Sequence, residues 1–141
     1  LAEKRILARL LKLRELEEEL SRVELEAAVA ARDRIEGERN AAEARRVLGR
    51  RSFADALGDL DTAERTGGMM EMEQARLLAL QIQPHLKVAD KEAAHKREEF
   101  LARRTSRRQV ETLLDNHRRQ EETDAGRRAQ QMLDDWYGRR T

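Results

Sequence analysis

The chain has 141 residues, the length of one ordinary domain, but Ala, Glu, Lys, Leu and Arg supply 87 of them, aromatics are 3% and there is a single Pro. That is the composition of long helices rather than of a globular core. Basic and acidic residues nearly cancel, 29 against 28 for a net charge of +1, and they are interspersed, so there is no concentrated basic field of the kind that nucleic-acid binding needs.

Cys is absent, which removes disulfide scaffolds and thiolate metal sites. No apolar run approaches the ~20 residues of a membrane span. The sequence opens on Leu1 without Met and reads helical at once, which points to residues upstream; a bacterial-type cytosolic protein is the default expectation.

Residues 1–48 carry almost no helix breakers, and apolar residues recur at spacings of three and four. With a at 6, 13, 20, 27, 34, 41 and 48, the a and d sites hold Ile6, Leu13, Leu16, Leu20, Val23, Ala27, Ala30, Ala41, Ala44 and Leu48. Ten of these thirteen sites are apolar, which predicts a coiled-coil seam. Leucines fill its first half and alanines its second, so the helices should approach most closely beyond residue 27, with Gly37 a weak point of ~1 kcal/mol against Ala.

Residues 49–68 hold Gly49, Gly58, Gly67 and Gly68. Ser52 with Asp55 three residues on reads as an N-cap, so a short helix is expected over about 53–65, with a turn at Gly67-Gly68. Residues 69–138 read as a second long helix with Pro84 inside it, either kinking it or opening a restarted segment. Its seam is Ile82, Leu86, Ala89, Ala93, Phe100, Val110 and Leu114, interrupted by Lys96, Arg103 and Arg107. The apolar register then jumps eleven residues to Ala125, Ala129, Met132 and Trp136, which leaves 115–124 as a solvated stretch. The expected fold is all-α: one domain over 1–141, an elongated antiparallel two-helix coiled-coil hairpin with a short intervening helix.

Catalytic and metal chemistry is not visible in these residues. His85, His95 and His117 stand 10 and 22 residues apart, which places no two of them within one helical turn, and no metal-binding loop is present. Gly67-Gly68 lacks a phosphate-loop context, and Ser52, Thr105 and Ser106 have no base at a predictable spacing. We expect no cofactor, no metal and no enzyme activity.

Three segments carry binding readings beside structural ones. Met69, Met70 and Met72, with Leu77 and Leu78, cap the end of the hairpin or form an adaptable protein-binding tip. Arg103 to Gln109 is a solvated basic face or a contact for an acidic surface. Trp136 continues the seam and can pack against the start of helix one or against residues upstream of Leu1, while Tyr137, about 100° further round, is expected to face a partner together with Leu133, Arg139 and Arg140.

The C-terminal arm also resembles a known family. Arg127-Arg128-Ala129-Gln130-Gln131-Met132-Leu133-Asp134-Asp135-Trp136-Tyr137-Gly138-Arg139 is similar to the closing signature of the flagellar export protein FliJ family, and Val110-Glu111-x-Leu113 falls where that family has Glu-x-Leu. Asp135 stands where Glu is usual, Gln131 replaces a lysine, and Trp136-Tyr137 replace a smaller hydrophobic-Ala pair. The motif covers about 30 residues.

The resemblance implies an antiparallel coiled-coil stalk or adaptor of the flagellar type III protein export apparatus, with injectisome counterparts of similar shape. It implies three partners: the hexameric export ATPase, the cytoplasmic domain of the export gate, and export chaperones carrying substrates. It implies no nucleic acid, and a cytoplasmic protein held at the inner face of the cell membrane only through its partners. Leu133, Trp136, Tyr137, Arg139 and Arg140 would form the ATPase-engaging end. A generic coiled-coil tether without an ATPase partner and an RNA-binding helical arm are the alternative readings of the same periodicity.

Overall fold

The computed structural model describes residues 2–58 and 62–140. They form two long α-helices packed against each other, α1 (Ala2–Ala56) and α2 (Thr62–Arg140). Two compact units share them: a terminal unit of Leu1–Arg22 with Glu99–Thr141, and an inner unit of Val23–Glu98.

The expected short helix over 53–65 does not appear. Phe53 to Ala56 are the last turn of α1, and Thr62 to Arg65 are the first turn of α2. The part of the expectation that falls on 59–61 lies outside the described residues. Ser52 is not an N-cap but a residue inside α1, which runs eight residues beyond the expected end at 48. Gly67-Gly68 do not turn the chain either, since both are helical. The bend falls instead at Leu57-Gly58, where the Leu57 amide donates to the carbonyls of Phe53 (3.1 Å) and Ala54 (3.3 Å). Arg65 Nε donates to the Ala56 carbonyl at 2.9 Å, so the first turn of α2 satisfies one of the open carbonyls at the end of α1.

Pro84 sits within α2 and the helix continues through it. The proline lacks the amide that would bond back to the Leu80 carbonyl. Its ring is exposed, and the neighbouring Ile82 and Leu86 are buried at 7% and 4% exposure, so packing holds the helix where the hydrogen bond is missing.

The seam of α2 follows the sequence reading closely: Ile82, Leu86, Val110 and Leu114 are buried, and Ala89, Ala93 and Phe100 half-buried. The seam of α1 is displaced by one residue from the expected one. In the terminal unit Leu7, Leu11, Arg14, Glu18 and Ser21 are buried or half-buried, while Ile6, Leu13, Leu16 and Leu20 are exposed. In the inner unit Leu25, Ala28, Ile35, Ala42, Gly49, Phe53 and Ala56 line the seam, and Val23 and Leu48 are exposed. Gly37 is exposed too, so the expected weak point lies off the interface.

Charged residues within these seams are paired across the helices. In the terminal unit Lys4 meets Glu121 (3.0 Å), Glu17 meets Arg103 (3.4 Å) and Glu18 meets Arg107 (2.7 Å). In the inner unit Glu24 meets Lys96 (3.3 Å) and Arg32 meets Asp90 (2.6 Å). In the terminal unit the α2 number falls from 121 opposite Lys4 to 103 and 107 opposite the adjacent Glu17 and Glu18, and in the inner unit from 96 opposite Glu24 to 90 opposite Arg32, the order that antiparallel packing produces. Most of these groups are partly exposed, so each pair contributes at most ~1 kcal/mol and fixes register more than stability.

The inner unit is tightest where both helices have glycine. A Cβ placed on Gly49 would lie 2.9 Å from the Met72 backbone nitrogen and 3.0 Å from the Gly68 carbonyl oxygen. One placed on Gly68 would lie 2.8 Å from the Phe53 nitrogen and 3.0 Å from the Gly49 oxygen. Ala42, Ala56 and Ala75, each 1% exposed, continue this small-residue contact. The close approach expected beyond residue 27 is therefore present.

The glycines give a paired prediction. Gly37 has open space around it, so Gly37→Ala should raise stability by about 1 kcal/mol through helix propensity. Gly68→Ala gains the same propensity but forces two backbones apart, an overpacking cost of about 1–3 kcal/mol. Thermal melts followed by circular dichroism should show opposite shifts; equal upward shifts would mean that the close approach is absent.

Candidate functional site

In the terminal unit, half-buried seam positions run along α2 as far as Asp124, and every described residue from Ala125 to Arg140 is exposed. The last sixteen described residues of α2 carry large exposed apolar side chains: Met132 (73% exposed), Leu133, Trp136 (48%) and Tyr137 (63%).

The Trp136 and Tyr137 rings meet edge to face, with centroids 5.2 Å apart and an interplanar angle of 77°. The Arg140 guanidinium carbon lies 4.0 Å from the Trp136 ring centroid, a cation–π contact. A shallow surface depression of about 250 Å³ is lined by Met132, Asp135, Trp136 and Arg139.

This changes the division of labour expected for the two rings. Trp136 does not pack in a seam against helix one: both aromatics are exposed and brace each other, with Arg140 on one side. Leu133 is exposed on the same helix end, and Arg139 joins Trp136 in lining the depression. The arrangement presents an aromatic pair, a Leu and two guanidinium groups in the last two turns of one helix, with basic residues at the negative end of its dipole.

The expected Met-rich tip is divided by the structure. Met69 and Met70 are exposed and line an open groove of about 550 Å³ with Phe53, Leu57, Arg65, Thr66 and Glu73. Met72 is half-buried, with its backbone at the Gly49 crossing. Leu77 and Leu78 are exposed further along α2 and do not line this groove. Phe53 and Leu57 were not expected here. Placing them in a separate short helix hid that they close α1 directly beside the methionines.

Two further segments take structural roles. The stretch 115–124, expected to be solvated, holds three half-buried seam positions, His117, Glu121 and Asp124. His117 Nε2 lies 3.7 Å from Glu3 and its Nδ1 3.5 Å from Glu121. The heptad spacing thus continues past Leu114 with polar occupants instead of jumping eleven residues. In the basic segment 103–109, Arg103 and Arg107 pair with α1 carboxylates. Glu18 first, then Glu111, hold the Arg107 charge more firmly than usual.

Among the described residues, no group of three His, Asp or Glu side chains could hold a metal ion, and no helix is long and apolar enough to cross a membrane. Compared with protein-family models, curated proteins and solved structures, the chain matches none.

Lys4, Glu121, Glu3 and His117 form the last polar clasp before the exposed end of α2. The hydrogen bond from Lys4 holds the Glu121 carboxyl below the ordinary carboxylate range; burial pushes the other way, and the charges of Lys4 and His117 add to the lowering. A carboxylate depressed in the fold contributes stability that is complete above its ordinary value of ~4.3 and is lost as pH falls through the depressed one. Protection of the amides at residues 2–10, measured against the intrinsic exchange rate at each pH, should therefore fall on acidification below about pH 4, the ordinary range of Glu. Glu121→Gln should exchange faster at neutral pH and respond less to acid. An unchanged acid response in that variant would remove Glu121 from the clasp.

Proposed function

We propose that the chain is a coiled-coil stalk and adaptor of a bacterial flagellar type III protein export apparatus. In this reading it is an elongated antiparallel two-helix hairpin, non-enzymatic, and cytoplasmic, held at the inner face of the membrane through its partners. The observation that carries the reading is the C-terminal end of α2, where Leu133, Trp136, Tyr137, Arg139 and Arg140 stand exposed close together. It coincides with the segment whose sequence resembles the closing signature of the FliJ family.

The export ATPase hexamer is the proposed partner of this end. A helix entering the central opening of a ring needs apolar side chains to fill it and cations to meet acidic walls, and a buried Trp, Tyr or Arg is the kind of residue that dominates interface energetics. Two long helices of 55 and 79 residues and the falling order of the cross-helix pairs support the hairpin form. The groove at Met69 and Met70 is the proposed contact for the export gate's cytoplasmic domain or for a chaperone–substrate complex, since methionine surfaces adapt to varied partners.

The test is co-elution with a purified hexameric export ATPase and the ATPase rate with and without this protein. Trp136→Ala and Tyr137→Ala should leave the melting temperature nearly unchanged, because substitutions at exposed positions usually stay within about 0.5 kcal/mol. Each should weaken ring binding at least about tenfold, the usual scale of an aromatic anchor. Neither co-elution nor stimulation by the unaltered protein would sink the proposal.

A further inference from the structure

Two heptad stripes lie on different, largely opposed faces of α1 in the terminal unit. The stripe turned to α2 contains Leu7 and Leu11 but also Arg14, Glu18 and Ser21. On the other face, Ile6, Leu13, Leu16 and Leu20 occupy a and d positions of a second stripe, with Arg9 at the remaining d. These four aliphatics are 62%, 49%, 68% and 61% exposed. The more apolar stripe is therefore the one left open to solvent, in the 3-4 spacing that a facing helix would read.

We propose that this stripe pairs with the same stripe of a second copy of the chain, antiparallel, with Leu13 packed on the second copy's Leu16 and Leu20 on the stem of its Arg9. The flanking charges argue for this occupant and this register. Arg5, Lys12 and Glu19 occupy g positions, and antiparallel pairing sets g against g. With Leu13 opposite Leu16, each Lys12 stands beside the other copy's Glu19, twice in a two-fold dimer. A slide of one heptad in one direction keeps two Arg5–Glu19 contacts but sets Lys12 against Lys12, and in the other it keeps two Lys12–Glu26 contacts but sets Glu19 against Glu19, so at the g positions only the first alignment is free of a like-charge pair. Parallel pairing would place Arg9 on Arg9 in the core. The charge pattern thus suits the stripe to itself in a single alignment. Glu19 also hydrogen-bonds Arg22 on its own helix, yet its side chain stays 57% exposed and within reach of a second partner. This inference does not depend on the export reading.

The experiment is sedimentation equilibrium of the full chain, a 16.4 kDa protomer, from about 1 to 300 µM, a range that brackets a micromolar dimer. Concentration-dependent doubling of the mass is expected. Leu13→Glu with Leu20→Glu should hold the protein monomeric with its circular dichroism unchanged, since both side chains are exposed. Lys12→Glu should weaken the dimer about tenfold, and adding Glu19→Lys should restore it.

The chain has no Cys, so introduced thiols report orientation. Leu13→Cys protein should cross-link to Leu16→Cys protein faster than to itself. A monomer at 300 µM in the same run, a dimer indifferent to the glutamates, failure of the charge exchange to restore pairing, or faster Leu13→Cys self-linkage overturns the proposal.

Discussion

The inner unit is organised by the contact between two backbones at Gly49 and Gly68. With no side chain on either helix there, the main chains approach until a Cβ on one would press against amide atoms of the other. That separation dictates what can flank it. Ala42, Ala56 and Ala75 fill the neighbouring seam positions and are almost wholly buried, whereas Phe53 and Met72, being larger, are only half-buried. Arg65 reaches the Ala56 carbonyl across the same end. A small-residue interface gains little from burying apolar area. Its cohesion comes from dispersion between closely packed backbones and from close fit, which is why one added methyl is felt.

In the terminal unit the helices meet differently. The α1 face turned to α2 carries Arg14, Glu18 and Ser21, and α2 answers with Arg107, His117 and Glu121 among Val110 and Leu114. Val110 and Leu114 supply the buried apolar area, and the ion pairs select which residues face each other. Ionic pairing of partly exposed groups is a weak source of stability and a good source of specificity. The α1–α2 alignment in this unit is written in charges as much as in leucines.

These differences explain what the sequence could and could not say. The helical class was legible because composition and the scarcity of breakers leave little else. The α2 seam was legible because Ile82, Leu86, Val110 and Leu114 form a single apolar stripe with no rival. The α1 seam was misread by one residue because two stripes compete there, and hydrophobicity favours Ile6, Leu13, Leu16 and Leu20 over the half-polar set that faces α2. Choosing correctly requires knowing that α2 brings cations to meet Glu17 and Glu18, a long-range fact that no local window contains. Gly67-Gly68 was misread for a related reason: a glycine pair serves a turn or a close helix crossing equally well, and only its position opposite Gly49 separates the two. At the candidate site the exposure of Tyr137 was legible in the sequence, while that of Trp136, the mutual bracing of Trp136, Tyr137 and Arg140, and the closure of the methionine groove by Phe53 and Leu57 depended on geometry.

The exposed sixteen-residue end of α2 has an energetic consequence. An isolated helix of this length is marginal in water because the first turn fixes several residues for one hydrogen bond. Here that step is already complete: residues 125–140 extend a helix nucleated and held by the paired stretch before them, and each added residue costs only propagation. A surface that must capture another protein normally loses affinity to the ordering of its own chain. The end of α2 inherits its order from the neighbouring turns, so an exposed helix can persist there without burial, and any binding to it would carry little of that ordering cost.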